Sequence, residues 1–247
     1  MGLHTKNGNG GSGKIYLKIA NGKITREWNE EPKSDWVPID KELKTRTVTK
    51  GKNQGATRWY IEYDEVSGFI LNVEVKNLEN SNIIELYLQE GPDTYIITIP
   101  EESAYGRDFL MKMKNIDITK ELFVSPWLMT AEEWLKLTGK KRQSDKVGLS
   151  LYLGESTKEN AVKPYYTKDN PNGLPPLEEK VVKGKNTYDS TNMDNFLYDE
   201  LMKWVSEVNA KLNGPSSTKI EAVKEVPGTS SILVSSLAEI DEDDLPF

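Results

Sequence analysis

A period-two alternation of apolar and polar residues recurs along the first half of the chain and is broken each time by turn residues. Ile15, Leu17 and Ile19 alternate with Lys14, Tyr16 and Lys18, the pattern of a half-buried strand. Asn21-Gly22 follows, the strongest two-residue hairpin signal, and a type I′ turn there returns the chain through Lys23 to Trp28. In that register Ile19 faces Ile24 and Tyr16 faces Glu27, leaving one apolar face and one that carries Lys14, Tyr16, Lys18, Lys23 and Thr25. Trp59, Ile61 and Tyr63 then alternate with Arg58, Tyr60 and Glu62. After a turn near Asp64 to Gly68, Phe69, Leu71, Val73 and Val75 give the cleanest alternation of all. Ile83 to Gln89 and Thr94 to Ile99 bracket the turn tetrapeptide Glu90-Gly91-Pro92-Asp93. Consecutive short hairpins predict a mainly β protein with an antiparallel sheet, and a curled meander of this kind commonly closes into a small barrel.

Helices are few. Thr130-Ala131-Glu132-Glu133 is a capping box opening a short helix that stops at Gly139, and Ser103 to Met113 is a candidate for another. Val147, Leu149, Leu151 and Leu153 resume strand alternation, and residues 154 to 190 read as loop-rich. The best helix runs from about 192 to 212, with Phe196, Leu197, Leu201, Trp204, Val205, Val208 and Leu212 at helical spacing before Asn213-Gly214-Pro215. Trp28, Trp36, Trp127, Trp134 and Trp204 sit in or beside apolar patterns and are expected in the core or an interface. Residues 1 to 13 are rich in glycine and asparagine and read as flexible. Residues 215 to 238 hold six serines, two prolines and no aromatic residue, the composition of a flexible linker. The folded domain is placed at 14 to 212, the linker at 213 to 238 and an acidic tip at 239 to 247. No apolar run is long enough to span a bilayer and the N-terminus lacks a signal-peptide core, so a cytoplasmic protein is expected.

The formal net charge of -7 argues, on a uniform chain, against a nucleic-acid ligand. This chain is polarised instead. The tip holds five acids and no base, whereas Lys41, Lys44, Arg46, Lys50, Lys52 and Arg58 face only Glu42 within residues 41 to 60. The absence of cysteine removes disulfides, iron–sulfur clusters and thiol nucleophiles, and His4, the single histidine, has no second histidine for a metal pair. Gly8 to Lys14 fits the opening of a phosphate-binding loop, but Ile15 stands where serine or threonine must ligate magnesium, and a strand rather than a helix follows. No catalytic residue, metal or cofactor is assigned.

The tip, Glu239 to Phe247, is a string of carboxylates ending on an apolar residue, which suits a partner pocket with an apolar floor and a basic rim. Asp241, Glu242, Asp243, Asp244, Leu245, Pro246 and Phe247 are its partner-binding candidates. It closely resembles the acidic tip of bacterial single-stranded DNA-binding proteins, which ends Asp-Asp-Asp-Ile-Pro-Phe. Asp243, Asp244, Pro246 and Phe247 match by identity, Leu245 replaces isoleucine and Glu242 keeps the charge. The resemblance covers the tail and the layout of domain plus linker, not the body. In size and in its long penultimate helix the chain looks more like phage-encoded single-stranded DNA-binding proteins. That resemblance implies an elaborated oligonucleotide-binding barrel acting in replication, recombination or repair in a host cytoplasm. It also implies a tip that recruits replication or recombination proteins and competes with DNA, with no enzymatic activity. A monomer or dimer is expected.

The body supplies an independent signal. Proteins that bind single strands without sequence preference combine a cationic groove with aromatic faces for the bases. Lys44, Arg46, Lys50, Lys52 and Arg58, around a bend at Gly51 to Gly55 and followed by Trp59 and Tyr60, read as a DNA-contacting arm. Tyr60 shares the polar face with Arg58 and stacks better than Trp59, while Lys14, Tyr16 and Lys18 have the same character. Lys140, Lys141 and Arg142, near Lys146, form a second cationic cluster. Two other classes stay open: a DNA-processing enzyme or recombination mediator with a borrowed tip, and a β-domain that binds protein and carries an acidic solubilising tail.

Overall fold

Asn21 and Gly22 both adopt positive φ, 50° and 72°, as the two central positions of a type I′ turn require. They join β1 (Lys14–Ala20) to β2 (Lys23–Trp28), paired antiparallel with Ile19 opposite Ile24. The computed structural model describes residues 13–49, 51, 53–78, 81–182 and 185–214. Further along lie β3 (Lys44–Thr47), β4 (Thr57–Tyr63), β5 (Val66–Asn77), β6 (Asn82–Glu90), β7 (Asp93–Pro100), β8 (Leu122–Met129) and β9 (Lys146–Leu153). These nine strands form one sheet in the order β3-β4-β2-β1-β7-β6-β5-β8-β9. A separate antiparallel pair, β10 (Glu178–Val182) and β11 (Lys185–Asp189), lies within the stretch expected to be loop-rich.

The sheet is mixed, which corrects the expectation of an antiparallel one. β1 pairs parallel with β7, from Lys14 opposite Thr94 to Lys18 opposite Thr98. The physical reason is that alternation decides which face a residue takes but says nothing of which strand completes a free edge. The β1–β2 hairpin leaves one edge of β1 open, and the meander of β5, β6 and β7 fills it with its own last strand.

A second correction concerns β5. Its register against β6 slips between Ile70 and Asn72, so Leu71 is an extra residue and the strand changes phase there. Ile70 and Val73 are buried, whereas Phe69 and Leu71 are exposed, so the odd-numbered apolar residues do not share a face. The same strand pairs with β8 over Val66 to Gly68 and thereby hands the sheet on to β8 and β9.

The inner face carries the core. Leu17, Ile24, Ile61, Val73, Leu86, Leu88 and Ile97 are closed over by helices α1 (Ala104–Lys112) and α3 (Thr191–Leu212) through Phe109, Leu201 and Trp204. Ser103 caps α1 by accepting from the Gly106 N–H at 3.0 Å, and a single 3-10 turn, Met113–Asn115, follows. The Asn209 side chain accepts from the Val73 N–H (3.2 Å) and donates to its carbonyl (2.8 Å), pinning α3 to β5. α2 (Ala131–Thr138) has the expected reciprocal capping box at Thr130 and Glu133 and ends on Gly139, but buries none of its residues. The β1–β2 turn folds against β8: the Gly22 N–H donates to the Tyr105 hydroxyl at 2.8 Å, and a Cβ there would lie 2.6 Å from the Leu128 nitrogen. No helix among the described residues is long and apolar enough to cross a membrane.

Candidate nucleic-acid interface

Alternation in β1 sends Ile15, Leu17 and Ile19 inward and Lys14, Tyr16 and Lys18 outward, away from α1 and α3. In β4 the outward set is Arg58, Tyr60 and Glu62, because Ile61 and Tyr63 are buried. β3 pairs with β4 in a register that sets Lys44 opposite Tyr60 and Arg46 opposite Arg58. Lys14, Tyr16, Lys18, Lys44, Arg46, Arg58 and Tyr60 are thus brought to one face of one sheet. Trp59 is separated from them: it pairs with Trp28 and Thr45 on the opposite face.

The cations on this face are not bare. Glu27 on β2 binds Lys18 at 3.4 Å and Arg46 at 3.1 Å, and Glu62 binds Lys44 at 2.6 Å. The bond to Glu62 raises the Lys44 pKa above its ordinary value. Lys14 and Arg58 form no ion pair among the described residues. Surface ion pairs of this kind are worth ~0–1 kcal/mol, so a polyanion can displace the carboxylates, at a cost in affinity.

Two aromatic residues that sequence reasoning did not single out share the face. Tyr87 on β6 stands between buried Leu86 and Leu88, and that alternation was the available signal. Phe69 was hidden by the phase change in β5. Ile96, flanked by Tyr16 on β1 and Tyr87 on β6, is fully buried beneath them. The Tyr87 hydroxyl lies 2.9 Å from Glu85 and 3.1 Å from Glu74. Burial, then the hydrogen bond and charge of Glu85, push its pKa well above the usual phenol range. Lys76 pairs with Glu85 at 2.8 Å.

The second cationic cluster is built differently. Lys140, Lys141 and Arg142 are exposed on the loop after α2, and the Arg142 guanidinium lies 5.2 Å from the centre of the Trp134 ring. The Lys146 ammonium lies 4.7 Å from Trp134 and 5.6 Å from Trp127. Trp127 in turn covers Gly148, where a Cβ would sit 2.3 Å from the indole. Of the tryptophans expected in the core or an interface, Trp204 is buried, Trp28, packed against the core, Trp127 and Trp134 are half-buried, and Trp36 is exposed. Indoles whose faces meet cations keep one side toward water, which is why an apolar neighbourhood in sequence did not make them core.

Lys50, Lys52 and the tip residues Asp241 to Phe247 lie outside the described residues. Among the described residues no group of three or more histidine, cysteine, aspartate or glutamate side chains is arranged to hold a metal ion. Compared with protein-family models, with curated proteins and with solved structures, the chain matches none.

Proposed function

We propose that this protein binds single-stranded DNA without sequence preference, as a non-enzymatic component of phage-type replication, recombination or repair in a host cytoplasm. The observation that carries the reading is the gathering of Lys14, Tyr16, Lys18, Lys44, Arg46, Arg58 and Tyr60 on the sheet face that α1 and α3 leave uncovered. Such a face offers cations to phosphates and aromatic rings to bases, each stack worth ~1–3 kcal/mol. The finer fold reading is an elaborated oligonucleotide-binding barrel.

The acidic tip fits this reading as a tethered competitor and as a recruiter of partner proteins. Its carboxylates imitate a polyanion, and a random coil of 24 residues, the length of residues 215 to 238 before it, spans ~25–30 Å. Competition then follows from effective concentration without a change in the sheet.

A titration with oligo(dT), following quenching of tryptophan and tyrosine emission, tests the binding. Affinity is expected to fall as salt rises, with a logarithmic slope of ~0.7 per phosphate neutralised. Removing residues 239 to 247 is expected to tighten binding most at low salt and to abolish partner capture. Equal affinity for duplex, or no response to salt, counts against the reading. A second reading, a β-domain that binds protein, is favoured by the pairing of Lys18, Lys44 and Arg46 with Glu27 and Glu62. It predicts no quenching by oligo(dT) at any salt concentration.

A further inference from the structure

Register divides the outer face into rows that run across the strands. One row is unbroken from β5 to β4: Glu74, Glu85, Thr98, Lys18, Thr25, Glu62. Its three carboxylates outnumber its single base, Lys18, which Glu27 binds; Lys76 pairs with Glu85 and Lys44 with Glu62, which leaves Glu74 as the row's acid without an ion pair among the described residues. Two residues away along every strand, all on the same side, lie Asn72, Tyr87, Ile96 and Tyr16, with Glu27, Tyr60 and Lys44 on β2, β4 and β3. Beyond them come Phe69, Gln89, Thr94 and Lys14, then Arg58 and Arg46. This band holds Lys14, Lys44, Arg46 and Arg58 against Glu27 alone. It also carries the face's most exposed aromatic residues, Tyr16 at 59 % and Phe69 at 52 %. Phe69 gains nothing there from the protein's own core, and with exposed Leu71 beside it on β5 it leaves adjoining apolar surface to solvent, the kind of surface that contact sites use.

The geometry points to a track: a single strand crosses β5 to β3 roughly perpendicular to the strands, confined to this band, with the row of Glu74, Glu85 and Glu62 as its edge. The inference rests on the single-strand reading above and gives that site a path. The band spans six strand spacings, ~29 Å. Its two ends hold the ligand by different means. Over β1, β4 and β3 the cations meet phosphates. Over β5 and β6 the band has no cation, so Phe69 and Tyr87 hold bases by stacking alone.

Oligo(dT) titration of the full chain at several salt concentrations separates these ends. Phe69→Ala is expected to lower affinity roughly tenfold at every salt concentration, with the salt slope unchanged, and Phe69→Tyr is expected to restore it. Arg58→Gln is expected to weaken binding and to reduce the slope by ~0.7. Phe69 is exposed, so a thermal melt of the alanine variant is expected to match the parent. Should Phe69→Ala bind normally while Arg58→Gln binds weakly, the track is overturned and the binding reading stands. A reduced slope for Phe69→Ala overturns the division into a charged and a stacking end. Failure of the unsubstituted chain to bind oligo(dT) overturns the reading itself.

Discussion

The outer sheet face and the β8–β9 end both bring cations near aromatic rings, and they use opposite chemistry. On the sheet face Lys18, Lys44 and Arg46 meet carboxylates. At the β8–β9 end Arg142 and Lys146 meet indoles. A carboxylate cancels the charge it binds, whereas a π face fixes a cation in position and leaves its charge whole. Counts of lysine and arginine therefore overstate the potential of the first region and describe the second faithfully. The difference also predicts where the fold is fragile, since ion pairs on a surface hold little and an indole seated on a glycine holds more.

The largest effect is expected from Gly148→Ala. Its Cβ would lie 2.3 Å from the Trp127 indole and 2.5 Å from the Asp108 carboxylate, which accepts from the Leu149 N–H. Overpacking of this kind costs ~1–3 kcal/mol. A thermal melt is expected to shift down, with a change in tryptophan emission, while the salt dependence of oligo(dT) binding expected on the single-strand reading is retained. Lys146→Met removes both cation contacts but keeps the aliphatic stem, and a loss of ~0.5–2 kcal/mol is expected. Hydrogen exchange should report it as faster opening of residues 131 to 146, with β1 to β4 unchanged.

On the sheet face the sign reverses. Glu27→Gln removes the carboxylate that Lys18 and Arg46 share and, on the proposed single-strand reading, is expected to strengthen oligo(dT) binding several-fold with a steeper salt slope, while changing stability by less than ~1 kcal/mol. Glu62→Gln releases only Lys44 and is expected to raise affinity about half as much on a logarithmic scale. With Glu62 gone, the Lys44 pKa returns toward its ordinary value. Weaker binding in either glutamine variant would mean that these glutamates position the cations rather than mask them.

Faces were more legible in the sequence than neighbours. Period-two alternation assigned Tyr16 and Lys18 to the polar face of β1 and Arg58 and Tyr60 to that of β4, because a side chain's face depends only on residues beside it in sequence; that the two faces are one became visible only with the pairing of β1, β2 and β4. The Asn21-Gly22 turn and the Thr130 capping box were readable for the same reason: each is a short-range motif with its own hydrogen bonds or φ angles. The parallel pairing of β1 with β7 was not legible, since it depends on an edge created by distant strands. Phe69 was misassigned because one inserted residue at Leu71 inverts the parity of everything before it. Ion pairs such as Lys44 with Glu62 join separate segments and leave no local signature. Lys50, Lys52 and the acidic tip lie outside the described residues, and the tethered-competitor proposal is argued from their sequence alone.

The parallel contact of β1 with β7 has a consequence for the order of assembly. β1 and β2 can zip as soon as their turn is made, yet the other edge of β1 waits until β2 through β6 have been synthesised and the β5–β6–β7 meander has formed. A chain caught between those stages carries an open backbone edge beside Ile15, Leu17 and Ile19, a template for pairing with another molecule. The late arrival of β7 makes the protein's hazard one of timing, and a variant that slows the meander should aggregate during synthesis before it shows any deficit in the finished fold.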